Sequence, residues 1–473
     1  MFRPFLYIYL IFAHLFVFVV GELHPEEINC VKKKTLTKVI FASCFHPRKN
    51  ANIFQPMVRY NPDLFLWTGD SVYHDKANHS LEHLREQFEK QKIREEYAEL
   101  RRVAQVVDGT WDDHDYGLND GKCITHNTHY IHWFANFFCL GGKYVPHREA
   151  RQQLFLDFLG VPPGSFRRQR AGVYSSFSWG RKDQKVRVIL LDTRYHRDLH
   201  VVPSVGGFPW LPLGAVCACF SRLLSSIFKV GENYGGDVLG EEQWQWLDRV
   251  LGQSSHENAQ ITLIVSSIQV FSSSPVMEGW AAFPRARTRL LDLITLHMPK
   301  GLLFLSGDVH HAELIGLGGG VVHSVEKRQD GKGDMIIEVT SSGLTHSCTT
   351  PFFGFMCPYI LQAFSNHRAS KDAFYTGKNY GTLSIDWLAK SFNVSIHDEE
   401  GAVVLSTVVN TVGAPSPWID LISGTKNYRR RARFSSFQAT DRYSSIMLVT
   451  VTALVLGIVL PGKISRLWKK SLV

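Results

Sequence analysis

Leu64-Phe65-Leu66-Trp67-Thr68-Gly69-Asp70-Ser71-Val72-Tyr73 begins as an unbroken apolar run and turns polar immediately after a glycine. A run of this length without alternation fits a strand covered on both faces, as in the interior of a layered α/β domain. The change of character at Gly69 means that this strand hands Asp70 and Tyr73 to its carboxyl end. Ligands of open α/β sheets collect at such ends, so the same ten residues predict both a fold class and a site.

The pattern recurs through the chain. Residues 38–43 form an apolar run that delivers Cys44, and residues 103–107 lead into Trp111-Asp112-Asp113-His114-Asp115-Tyr116-Gly117. Residues 302–306 deliver Gly307-Asp308-Val309-His310-His311. Further strands are predicted over 186–191, 261–266 and 335–340, followed by an antiparallel meander over 380–387, 393–397 and 402–409. Helical patterns lie between them at 81–102, 129–138, 149–159, 241–251 and 284–296, and helices alternating with strands imply a layered α/β domain. Residues 199–237, rich in Pro, Gly, Ser and apolar side chains, interrupt this rhythm and read as an inserted loop.

Three carboxylates and an imidazole in the four positions 112–115 are costly to bury unless a cation or hydrogen bonds compensate them. Asp70 is placed to bridge two cations, which together acidify a water and neutralise a phosphoryl oxygen during in-line displacement. Cys44 as thiolate and Tyr73 as phenolate favour a harder or redox-active ion such as ferric iron over magnesium alone, and His310 suits a transition metal. His114 has two readings, as a ligand beside Asp113 or as an imidazole held by a carboxylate that protonates the leaving oxygen. Each of these residues alone also has an ordinary structural use; their joint occurrence at four strand ends points to a two-metal hydrolase.

The motifs Ala42-Ser43-Cys44, Gly69-Asp70-Ser71-Val72-Tyr73, Trp111-Asp112-Asp113-His114-Asp115, Leu191-Asp192-Thr193-Arg194, Glu278-Gly279-Trp280 and Ser306-Gly307-Asp308-Val309-His310 together resemble those of the PhoD-like metallophosphatases (alkaline phosphatase D), within the calcineurin-like phosphoesterases. The resemblance runs from about residue 38 to residue 313. It implies a four-layer αββα sandwich, two mixed sheets flanked by helices, with metals between the sheets. Carried over residue by residue, it makes Cys44, Asp70, Tyr73, Asp113, Asp308 and His310 metal ligands, His114 the catalytic imidazole and Arg194 a phosphate-binding residue. Asp112 and Asp115 are left as orienting residues. Where the wider superfamily often has a histidine after the strand at 261–266, this chain has Ser267 and Gln269; the resemblance therefore implies iron and calcium, with other divalent transition metals as the alternative.

Outside this domain the chain carries two apolar runs. Residues 5–20 follow Arg3 and read as a secretory signal ending at residue 21, an uncleaved signal anchor being the competing reading. Residues 446–460 read as a membrane-spanning helix, with a cationic cytosolic tail over 461–473 and a basic stalk over 423–445. The metallophosphatase domain then occupies 22–422, and the expectation is a single-pass protein with a lumenal or extracellular catalytic domain. The net charge of +9 does not argue for nucleic acid, because much of the excess flanks the C-terminal run, where attraction to a membrane surface accounts for it. Some of the eight cysteines should pair in an oxidising lumen, with connectivity open. The 45% hydrophobic content supports a full core rather than disorder. The expected activity is phosphomonoester or phosphodiester hydrolysis; the rival readings are a phospholipid-type diesterase and a non-catalytic membrane protein that kept the fold.

Overall fold

The structure, a computed structural model, describes residues 34–73, 80–117, 142–201, 214–316, 336–350 and 354–414. The expected signal segment, the helix at 129–138, the stalk, the 446–460 helix and the tail all lie outside those residues. Among the described residues no helix is long and apolar enough to cross a membrane.

Two mixed sheets form the centre. In the first, β1 (Lys38–Ala42), β2 (Leu64–Thr68) and β3 (Val106–Thr110) run parallel, and β1 is joined on its other side by the antiparallel strands β11 (Tyr380–Asp386), β12 (Ser391–His397) and β13 (Val403–Val409). In the second, β5 (Val186–Leu190), β6 (Ile261–Val265), β7 (Leu302–Ser306) and β9 (Ile336–Ser341) are parallel. Antiparallel β4 (Ser175–Trp179) closes one edge, and β8 (Ala312–Gly316) with β10 (Phe374–Tyr375) the other.

Alternation within the runs explains the layering. Val39, Phe41, Leu64 and Leu66 point inward to meet Val188, Leu190, Leu263, Val265, Leu303 and Leu305 of the opposite sheet. Their neighbours Ile40, Ala42, Phe65 and Trp67 point outward instead. There they pack against α2 (Leu81–Ile93), α3 (Glu95–Val103) and α5 (Arg148–Leu159), numbered after α1 (Phe54–Tyr60) and the short α4 (Asp113–Tyr116). On the other side Ile189, Ile264, Leu302 and Phe304 cover Trp244, Leu247 and Val250 of α7 (Glu241–His256) and Leu290 and Ile294 of α8 (Pro284–His297). Three core clusters separate four layers, and each fully buried Leu, Ile or Phe side chain contributes roughly 1.5–3 kcal/mol.

Four expectations need correction. The strand expected at 103–107 is β3 at Val106–Thr110, because Val103 closes α3 and Ala104 turns extended behind it. The single helix expected at 81–102 is two, broken at Arg94, whose ψ of 131° leaves the helical region. The insertion at 199–237 is not all loop: α6 (Gly214–Ile227) occupies its middle, ahead of α9 (Cys357–Ala363) later in the chain. Finally, β4 and β8 were not predicted, since Ser175, Ser176 and Ser178 dilute the first and Glu313 interrupts the second.

Candidate functional site

The four segments predicted to converge do so, at the carboxyl ends of β1, β2, β3 and β7. The backbone at the junction is unusual. Cys44 (φ 64°), Asp70 (φ 49°), Asp308 (φ 72°) and His310 (φ 58°) all adopt the left-handed region that side chains other than glycine rarely enter. Strain of this kind persists where surrounding structure over-determines it, and it clusters at functional sites. Gly307 lets the sheets close here: a Cβ at that position would sit 2.5 Å from the Thr68 carbonyl oxygen and 2.6 Å from Ser43 Oγ.

Cys44 Sγ lies 3.6 Å from Asp70 Oδ2 and 3.0 Å from Ser342 Oγ. The Tyr73 hydroxyl donates to Asp70 Oδ2 at 2.7 Å and is 3.2 Å from His310 Nε2. Ligand atoms of Cys44, Asp70 and His310 thus come within 4.8 Å of one another; so do those of Asp70, Asp113 and His114, and those of Asp112, Asp113 and Asp308. Asp70 belongs to the first two groups and Asp113 to the last two, so the three are continuous.

The remaining predicted residues surround this chain of donors. The His114 N–H donates to Asp70 Oδ1 at 3.2 Å, and its half-buried ring stacks obliquely on Tyr73 with centroids 4.1 Å apart. Asp115 accepts from Ser71 Oγ at 2.7 Å, from the N–H groups of Ser71 and Val72, and from the Asp112 N–H at 3.0 Å. It thereby ties the loop after β2 to the loop after β3. Asp112 accepts from the Arg194 Nε–H and, at 2.6 Å, from Ser267 Oγ. Arg194 also meets Glu278 Oε1 at 2.9 Å and approaches Asp308 Oδ1 at 3.8 Å; at 1% exposure the whole residue is buried.

Several residues around the site carry no sequence signal of their own. Ser342, after β9, receives the His310 N–H at 2.9 Å. His346 sits with its ring 4.5 Å from that of His310 and 4.8 Å from that of Tyr73, while His46 stacks on the other reach of Tyr73 at 5.7 Å. Isolated histidines and serines in loops become informative only once topology brings them together. Glu278 did stand in a quoted motif and Ser267 where a histidine is often found, and their contacts now give both positions a physical content.

Electrostatics favours a cation. Burial, followed by the charges of Asp113 and Cys44, pushes the Asp70 carboxyl well above its usual range, and burial raises Asp112 in spite of Arg194. The Cys44 thiol is pushed up to about 12 by burial, and Asp115 to about 7. Burial lowers His310, leaving a neutral imidazole with a lone pair to give. Asp112 Oδ2 is buried without a hydrogen bond among the described residues. A neutral imidazole beside a thiol, a phenol and crowded carboxylates whose pKa values burial raises is a donor set that metal ions fit.

The sequence model of the family described as PhoD-like phosphatase matches residues 39–395. A solved structure described as "Structure of PhoD" superposes with a TM-score of 0.50 at 18% sequence identity, covering 81% of this chain and 71% of that one. No curated protein matches the chain.

Proposed function

The chain belongs to the PhoD-like phosphatase family, and from that membership we propose how its site binds metal and cleaves a phosphoester. It is a phosphoric ester hydrolase of metal-dependent type. Cys44, Asp70, Tyr73 and His310 would hold one ion, for which thiolate, phenolate and imidazole favour iron; Asp113 and Asp308, sharing Asp70, would hold another through oxygen alone, as calcium prefers. When bound, the ions supply Lewis acidity toward the phosphoryl oxygens.

The chain's own groups do the rest. Asp70 couples the two halves of the site, and its hydrogen bond from the His114 N–H sets where that imidazole stands. His114 lies beside Tyr73 and is less buried than Asp70, Asp112 and Asp113. As a water oxygen bonds to phosphorus and the P–O ester bond breaks, His114 would give a proton to the departing oxygen, a role worth about 10²–10⁴-fold in rate. The observation that carries this reading is the meeting of four strand ends, three of which place donors in left-handed backbone. His114→Ala should therefore keep its metal and lose rate by that factor; metal loss of the same size as in a ligand variant would remove His114 from the catalytic role.

The same reading places the domain on the lumenal or extracellular side of a membrane, tethered as a single-pass protein by the 446–460 helix. Two features support it besides the apolar runs. Cys348 and Cys357 form a disulfide, a bond that persists chiefly in oxidising compartments, and the basic stretches flank the C-terminal run. A tethered site also suits a phospholipid head-group diester. Rates on a phosphomonoester and a phosphodiester from one preparation decide the ester class, and protease protection of intact membranes decides the side.

A further inference from the structure

We infer that Arg194 and Glu278 form a buried positioning unit that acts on the metal-binding carboxylates rather than on the substrate; the inference rests on the metal site proposed above. Asp112, Asp113 and Asp308 converge from the ends of β3 and β7, and like charges at that spacing repel strongly in a dry interior. One permanent cation stands among them. Arg194 turns its Nε edge to Asp112 and its Nη2 toward Asp308, 3.8 Å away, so a single planar group touches both strand ends. A guanidinium keeps its charge at every working pH, which suits it to a fixed counter-charge.

Substrate contact is harder to reconcile with the geometry. Nη2 is buried and makes no hydrogen bond among the described residues, and no part of Arg194 beyond 1% is exposed. Asp308 and His114 are both more exposed than Arg194, so a phosphate arriving from solvent reaches them before the guanidinium.

Glu278 fixes the orientation. Its Oε1 accepts from Arg194 Nη1 at 2.9 Å, from Arg197 Nη1, and contacts His200 Nε2 at 3.2 Å. The carboxylate is 3% exposed and holds the guanidinium at Nη1, leaving Nε and Nη2 to face Asp112 and Asp308. Ser267, itself 2.6 Å from Thr193 Oγ1, completes the support by donating to Asp112 Oδ1. Because His200 opens the 199–237 insertion, Glu278 also anchors that insertion to the site.

The test uses the purified full chain. For wild type and Glu278→Gln, metal retention is titrated against a chelator, and inhibition by inorganic phosphate is measured at saturating metal. The expected result is a metal affinity lower by about 10–100-fold, the usual consequence of losing a partner behind the ligands, with phosphate inhibition unchanged. Ser267→Ala, which buries no new charge, should shift metal affinity in the same direction by less, and decides the matter if Glu278→Gln does not fold. Weakened phosphate inhibition at unchanged metal affinity would show Arg194 acting on the substrate; no change in either would reduce the network to an ordinary ion pair. If Asp70→Asn and His310→Ala also keep their metal, the metal-site proposal itself fails; if they lose it and Glu278→Gln does not, only this inference fails.

Discussion

Asp70, proposed above as the residue shared by two metal ions, stands where a carboxylate is costly to the fold. Its carboxylate is buried among Asp112, Asp113 and Asp115, and its pKa stands well above the usual range. Asparagine tolerates left-handed backbone, so Asp70→Asn removes the charge and keeps the conformation. Stripped of metal, this variant should be more stable than wild type by about 0.5–2 kcal/mol, read from urea denaturation in chelator. Equal or lower stability would mean that the carboxylate crowding is relieved in some other way. Gly307 makes the reverse case: its Cβ space is taken by Thr68 and Ser43, so Gly307→Ala must push the end of β7 away from β1 and β2. Metal binding should fall with little change in secondary structure, measured by metal titration alongside circular dichroism. At this scale the sequence was legible where a motif put donors at a strand end, as with Cys44, Asp70 and His310. His46, His346 and Ser342 were not legible, because each lies in a loop whose path depends on contacts distant in sequence.

Among the elements, β9 carries a second buried acid with a different task. Glu338 accepts from the N–H groups of Val270 at 2.9 Å and Phe271 at 2.7 Å, fastening the loop after β6 to a strand two places along the same sheet. Burial raises its pKa from 4.5 to about 7. A folded-state value above the unfolded one means that the proton favours folding. The contribution is complete below about 4.5 and is lost as pH rises to about 7, by roughly 3 kcal/mol at most. The stability difference between wild type and Glu338→Gln should therefore shift in favour of the glutamine variant between pH 4.5 and pH 7.5, both measured without metal; a difference independent of pH would contradict this. Strands with continuous apolar runs, such as β2 and β7, were read from sequence with their observed bounds. The start of β3 was not, since Val103 can end a helix as well as begin a strand, and β4 was hidden because its serines fill inward and outward positions that apolar runs usually advertise.

The whole molecule is held together at the site as much as at the core. The Cys348–Cys357 disulfide closes a short loop after β9, and the Cys348 N–H donates to the His310 carbonyl oxygen at 2.7 Å. Cys348→Ser should cost about 2–4 kcal/mol of stability, measured by denaturation with and without reductant, and the loss should vanish when wild type is reduced. The layered α/β class followed from alternating helices and strands and the sandwich from the family resemblance, whereas the insertion's helix followed from neither, because small and apolar residues at 214–227 satisfy loop and helix alike. If four strand ends from two sheets build one metal-dependent phosphoesterase site, bound metal and hydrolysis are lost together. The most direct measurement is elemental analysis of the purified chain and of His310→Ala, with hydrolysis of 4-nitrophenyl phosphate followed on the same samples. The account predicts bound metal and activity in the wild type and loss of both in His310→Ala; a variant that keeps its metal and its rate would contradict it.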